Sequence, residues 1–531
     1  MNSTHALTSS EQPYPAFAIF VVCVVCALLL SVWFSPHRDT TEDFFINNRR
    51  LTAAQSGLAM FGEYISAAAL LGVPGLIALS GYDGLLYLLG PIIALTIILF
   101  LIAEPFHTSG RFTIADAVAR RLRPRPVHTA LGISTLAASM LYLIAQLVGA
   151  GALAAPILGL AGPAAQRALV ASLGILMILY VVIGGMKAAT VMQCIKAVVL
   201  LAGSGLLAIL VLAEFGWNPG ALLTAATRMS SAGDALLRPG LLFNDDLTGQ
   251  LDVFSLQLAF VLGAASLPHL LTRLCAVPTA RTARSSVRGA AVLTSVFGLI
   301  VVVLGFGATA ILGSDAIPHP GNTATLLLAE ALGGPLLLAM LAFVVFATIL
   351  AVVSGVMLAA ATSLAHDIYR STIKAGRTSD KRELFVARSA VVLIGGTAIT
   401  MSMYVQNINA SLLIGLSFAV AASANLPTLL FTFYWKGFTA TGAAWSVYGG
   451  LISSLGLAVF SPAVSGNPRA LLPTANFAYF PLQNPGLVSI PLSFLLGWLG
   501  STLGRERADE ISYAEWEVRT LTDTKATRPG H

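Results

Sequence analysis

The chain has 531 residues, 56% of them apolar and only 10% charged, with a mean hydropathy of +0.82. Soluble domains carry roughly 25% charged residues, so this composition excludes a soluble enzyme and points to an all-α polytopic membrane protein. The net charge of +6 reflects orientation in a bilayer and gives no support to nucleic-acid binding.

Apolar stretches of at least ~17 residues are long enough to cross a membrane as helices. Thirteen occur, at 17–34, 52–80, 84–105, 127–158, 166–184, 190–213, 250–272, 285–312, 324–365, 384–405, 408–433, 440–461 and 486–504. The 324–365 stretch is long for one span. With the N-terminus outside, 25 of the 30 Lys and Arg residues fall in inward segments. Only Arg167, Arg228, Arg238 and Arg469 fall outward, and Lys196 lies within a span. That bias is what the positive-inside rule requires. It places the N-terminus outside the cell membrane and the tail 505–531 in the cytoplasm. The first span has no Lys or Arg before it and reads as an N-out helix rather than a cleaved signal. Cys23 and Cys26 sit in an apolar run and read as packing residues, with no disulfide framework.

The inner loops 105–126 and 366–383 are basic and suit short interfacial helices. The outer connection 214–249 has room for a capping helix, and a second outer excursion, 461–485, is rich in proline. The second span is interrupted at Gly72-Val73-Pro74-Gly75 and the seventh at Gly263–Pro268. Irregular backbone at membrane depth is tolerated only inside protein or along a cavity, and paired broken helices mark the binding site of many transporters. The two breaks lie five spans apart, which suggests two inverted five-helix halves.

The stretch GEYISAAALLG…SGYDGLLYLLGP followed by ILFLIAEPFHTSGRFTIADAVARRL resembles the sodium:solute symporter family, and within it the acetate and monocarboxylate permeases. So do YLIAQLVGAG, GGMKAATVMQCIKAVVLL, GAASLPHLLTRL, FATILAVVSGVMLAAATSLAHDIY and AASANLPTLLFTFYW, in the family's order over roughly residues 44–504. The resemblance implies about thirteen transmembrane helices with a LeuT-like 5+5 core. It divides the chain into a leader and first helix (1–43), a transport core (44–435), two further helices (436–504) and a tail (505–531). It implies symport of a small monocarboxylate (acetate, propionate or pyruvate) with Na⁺ or H⁺ by alternating access. No other cofactor is expected; the partners are the solute, the cation and the lipid bilayer. Further hypotheses are a symporter of another solute, such as an amino acid or vitamin, or a nutrient sensor working with a partner protein. An enzyme is not expected, since HExxH, GxSxG and paired intramembrane Asp residues are missing from the sequence.

The family's sodium site maps onto backbone carbonyls of Gly62 and Ile65 and onto the ninth helix near Thr348. Its two hydroxyl positions fall on Ala351 and Val352, which have no hydroxyl, leaving Thr348 and Ser354 as the nearest oxygens. Hard cations want oxygen ligands, so this departure leaves Na⁺ and H⁺ both open. Glu63, an ionisable group in a span, is a coupling candidate; its other reading is a carboxylate near the interface, solvated or paired with an Arg.

For the solute, Ser66, Ala68 and Ala69 form a small-residue segment that suits a short carboxylate near a half-helix end. Tyr142 and Gln146, one turn apart, can both donate hydrogen bonds; Phe254 and Gln257 lie on the seventh span. Each also reads as interhelical packing. His269 and Arg273 read as an inner gate or as a snorkelling pair at the interface. Asp83 reads as a cap on the third helix, Asp367 as a partner of Arg370 or a loop Arg, and Asn425-Leu426-Pro427 as a kink.

Overall fold

The computed structural model describes residues 40–522, apart from 158–161, 243–245, 320, 406–409, 467–469, 473, 505 and 507–508, together with six isolated positions before residue 40. The expected first span, 17–34, falls largely outside the described residues, as does Cys23.

Described elements are helical in chain order, with one isolated β-bridge, Ser465 to Leu472. A short helix α1 (Thr41–Ile46) precedes α2 (Ala53–Tyr64) and α3 (Ala67–Ser80). Then come α4 (Tyr82–Ile97), which runs through a π-helical turn into α5 (Ala103–Ser109), and α6 (Ile114–Ala119). The long helices α7 (Pro124–Ile157) and α8 (Pro163–Glu214) follow, and α9 (Pro219–Met229) supplies the helix expected in the 214–249 connection. Next are α10 (Leu247–Ala264), α11 (Pro268–Cys275), α12 (Ala280–Leu312) and α13 (Ala324–Thr362), which continues as a π-helix over Ser363–Ile373. The chain closes with α14 (Asp380–Tyr404), α15 (Ala410–Ala424), α16 (Leu426–Tyr434), α17 (Ala440–Val459), α18 (Gly486–Leu503) and α19 (Glu510–Thr522).

Among the described residues ten helices are long and apolar enough to cross a membrane, or eleven when the bent pair α2–α3 counts as one span. The expected spans 166–184 and 190–213 form the single helix α8, broken at Gly185, where φ is +54°. A Cβ there would meet the Phe44 ring at 2.9 Å, so only glycine suits both the backbone and the contact. The long 324–365 stretch is likewise interrupted, at Gly333 and Gly334.

The first interruption differs from expectation. Helix α3 runs unbroken through Gly72, Pro74 and Gly75, and the chain breaks earlier, at Ile65 and Ser66, both extended. The bend is 56°. Two local choices fix this. Ile65 ends α2 by donating to Phe61 O, and Ser66 caps α3 through its own oxygen. Pro74 lies more than one turn into α3 and is accommodated there. Gly75 serves a close approach instead: a Cβ would lie 2.1 Å from Gly321 O.

The second interruption falls where expected. α10 ends at Ala264, Leu267 is extended, and Pro268 starts α11. The unwound backbone is tied down by Asn425 at the α15–α16 junction. Its Nδ2 donates to Ser266 O at 3.3 Å while its Oδ1 accepts from Ser134 at 2.7 Å. Asn425 is therefore more than a kink residue: it satisfies groups that the break leaves open.

The interrupted pairs lie inside the bundle. α2 packs on α8 and α12, α3 on α12 and α13, and α11 on α13, α5 and α2. α7 packs on α13 and α15 and touches α3, while α17 and α18 pair with each other beside α15.

Candidate solute and cation site

The break at Ile65–Ser66 strips α2 of its last intrahelical donors. Gly62 O and Ile65 O are left as acceptors at the negative end of the helix. Both accept a hydrogen bond from Lys196 Nζ, which reaches across from α8 and is buried. One turn earlier on α8, Gln193 Nε2 donates to Ala351 O of α13 at 2.8 Å. Gly62 is needed here, because a Cβ would stand 2.7 Å from Gln193 O. Gln193 and Lys196 thus bridge the broken helix to α13, and sequence reading assigned neither a role. The available signal was a lone Lys in the apolar run between Lys187 and Glu214.

Glu63 points the other way. Its Oε1 lies 2.6 Å from Arg273 Nη2, and both side chains are 1% exposed. The same guanidinium donates to Thr190 Oγ1. Gly355 makes room for the carboxylate, since a Cβ would fall 2.0 Å from Glu63 Oε1. Arg273 and His269 are buried, so the snorkelling reading fails; a snorkelling pair would hold its charge in water. Glu63 is paired as one reading expected, but deep in the protein. Glu63 and His269 line a cavity with Phe45, Phe112 and Thr272, and Arg111 stacks on Phe112 at 4.6 Å.

Tyr142 on α7 is buried, with its ring 5.3 Å from His269 and 6.0 Å from Phe418. Phe418 contacts Phe260 at 5.0 Å, and Phe260 contacts Tyr87 at 5.9 Å. An aromatic row therefore links α7, α15, α10 and α4. The buried nitrogens of Gln146 and Gln257, and the Tyr64 hydroxyl, have no hydrogen-bond partner among the described residues. Ser66 caps α3, with Ala68 and Ala69 in its first turn half-buried. Phe254 stands apart: its side chain is 57% exposed on the outside of the bundle.

Thr348 and Ser354 are the α13 hydroxyls nearest in sequence to the missing pair. Thr348 Oγ1 donates to Val344 O at 2.7 Å, and Ser354 Oγ to Ala351 O at 2.6 Å. Ala351 and Val352 are buried and apolar. A sodium ion needs several oxygen ligands; here Lys196 already takes both carbonyls of the break, and Ala351 and Val352 bring no hydroxyl. The residues do not fit that ion.

The family model of the sodium:solute symporter family matches residues 44–450. The chain belongs to the sodium:solute symporter family. This symporter is 42% identical to a monocarboxylic acid transporter of Corynebacterium glutamicum, over 98% of each chain. It is also 42% identical to the uncharacterized symporter YwcA of Bacillus subtilis, over 96% of this chain and 98% of that one. Its fold matches a substrate-bound, outward-open Na⁺-coupled sialic acid symporter with a TM-score of 0.72 at 14% identity, covering 93% of this chain and 98% of the other. It also matches MhsT in complex with L-phenylalanine, with a TM-score of 0.52 at 16% identity over 84% and 98% of the two chains. At those identities the likeness speaks for the fold alone.

At the arginine-rich end of this symporter a second polar cluster was not foreseen. Asp367 accepts from Thr113 at 2.8 Å and Ser363 at 2.6 Å and lies 2.9 Å from His128 Nδ1. Arg370 pairs with Asp380 and Glu383 instead of Asp367. His366 bridges Glu383 (2.6 Å) and Asp116 (3.0 Å). Burial alone would raise the Asp116 carboxyl; His366, then His128 and the Phe112 amide, reverse this and hold it below the usual carboxylate range. Asp83 does not cap its own helix; its carboxylate accepts from the amides of Gly240 (3.1 Å) and Leu242 (2.8 Å) and pins the loop that carries them.

Proposed function

We propose that this symporter imports a short-chain monocarboxylate, acetate, propionate or pyruvate, together with a cation by alternating access. It would lie in the cell membrane with the N-terminus outside and the C-terminus cytoplasmic. Residues 44–435 would form the transport core, 436–504 two accessory helices and 505–531 a tail.

The observation that carries the solute class is charge. Glu63, Arg273 and Lys196 are buried around one break. With Lys196 counted as an ammonium they leave one positive charge in excess, which favours one carboxylate nearby. The N-terminal end of α3 adds a partial positive charge beside a segment of alanines. The unpartnered nitrogens of Gln146 and Gln257 are donors that a carboxylate could satisfy. The small side chains suit a short solute, and the name of the Corynebacterium glutamicum relative agrees with that class.

In this reading Tyr142, Gln146 and Gln257 orient the carboxylate, and the Glu63–Arg273 pair holds the two interrupted spans together in one state. Uptake of labelled acetate and pyruvate into proteoliposomes under an imposed ion gradient tests the reading. Saturable uptake, with each monocarboxylate competing against the other and amino acids failing to compete, is expected. Uptake of an amino acid unaffected by monocarboxylates would overturn it.

A further inference from the structure

Gly62 O and Ile65 O are the carbonyls that the family resemblance assigns to sodium, yet both are acceptors for Lys196 Nζ. A helix C-terminus with two orphan carbonyls attracts a cation, and here the cation is part of the chain. Across the site, the positions that should supply hydroxyls are Ala351 and Val352, both buried. The nearest hydroxyls, Thr348 and Ser354, donate to carbonyls of their own helix. Ala351 O is also held by Gln193 Nε2, one turn from Lys196 on the same face of α8. The lost hydroxyls and the gained ammonium are complementary: an ammonium needs acceptors only, and two carbonyls supply them without any side-chain oxygen from α13. Lys196 Nζ and a sodium ion coordinated by both carbonyls cannot share this space.

We infer that the Lys196 ammonium is a tethered cation that occupies the sodium position between α2 and α13, so that this symporter takes no sodium there. The inference deepens the symport reading and rests on it only for its consequence in transport. The test therefore needs no solute.

Thermal melts of the purified full chain in detergent would compare sodium chloride with choline chloride at equal ionic strength. The wild type should melt at the same temperature in both. Lys196→Ala should melt about 5 °C lower, on the usual scaling of stability with Tm. Added ethylammonium, a fragment of the lost side chain, should restore part of that shift saturably, and tetramethylammonium should not. Should Lys196→Ala fail to fold, Lys196→Met, which fills the space without the charge, carries the same comparison. A saturable, sodium-specific rise in the wild-type Tm would overturn the inference. So would a Lys196 variant that melts like the wild type and ignores ethylammonium. Failure of monocarboxylate uptake would refute the transport reading and leave this comparison standing.

Discussion

Glu63 of the first interrupted span and Arg273 of the second meet in a buried contact of 2.6 Å. Each comes from the half-helix nearer the arginine-rich end, so the pair bolts the two breaks together there. Removing one member of a buried pair leaves an uncompensated charge and costs about 3–5 kcal/mol, whereas removing both is far milder. Arg273→Met should therefore lower the Tm strongly, and Glu63→Gln with Arg273→Met should recover most of the loss. Melts of the single and the double variant against the wild type check the coupling.

The glycine opposite this pair sets a steric limit. Gly355→Ala would place a Cβ 2.0 Å from Glu63 Oε1, so the carboxylate or α13 must shift. The variant should lose most transport while still reaching the membrane. Normal uptake by well-expressed Gly355→Ala would show that Glu63 is free to leave the pair.

Gln146 and Gln257 present buried nitrogens without partners. A hydrogen bond to a charged group is worth about 1.5–3 kcal/mol. Gln146→Ala should therefore raise the KM for pyruvate by about tenfold or more, with Gln257→Ala acting in the same direction. Phe254→Ala, on the outer surface, should leave the KM unchanged. Equal KM values for all three would remove the glutamines from the solute path.

Acid should loosen the cluster around Asp116. Its carboxyl lies below its unfolded value, near 3.9, so the bonds to His366 and the Phe112 amide contribute fully above that value. The contribution fades as pH falls through it toward the folded pKa. The Tm gap between wild type and Asp116→Asn should hold steady from about pH 7 to 5 and shrink below about pH 4. A gap that stays constant into acid would show that Asp116 is not held as a carboxylate.

Helix content and the second interruption were legible in the sequence because apolar length and a Gly-to-Pro run speak directly of backbone. The first interruption was misplaced because Gly72, Pro74 and Gly75 look like a break. Gly75 instead answers to a distant neighbour, Gly321. Thr348 and Ser354 were readable as oxygens, but their bonds within α13 were not. Lys196 was visible as a charge in a span, but which carbonyls it reaches depends on how α8 packs against α2. Asp367 was expected to meet Arg370 or a loop Arg; within the π-helix Ser363–Ile373 it meets His128 and Ser363 instead.

The most direct test is labelled pyruvate uptake into proteoliposomes with proton and sodium gradients imposed separately at a fixed membrane potential. Pyruvate should accumulate under an inward proton gradient in sodium-free buffer, with no gain when a sodium gradient is added. Accumulation under a sodium gradient alone would contradict the account, in which Lys196 holds the two carbonyls that the family resemblance assigns to sodium.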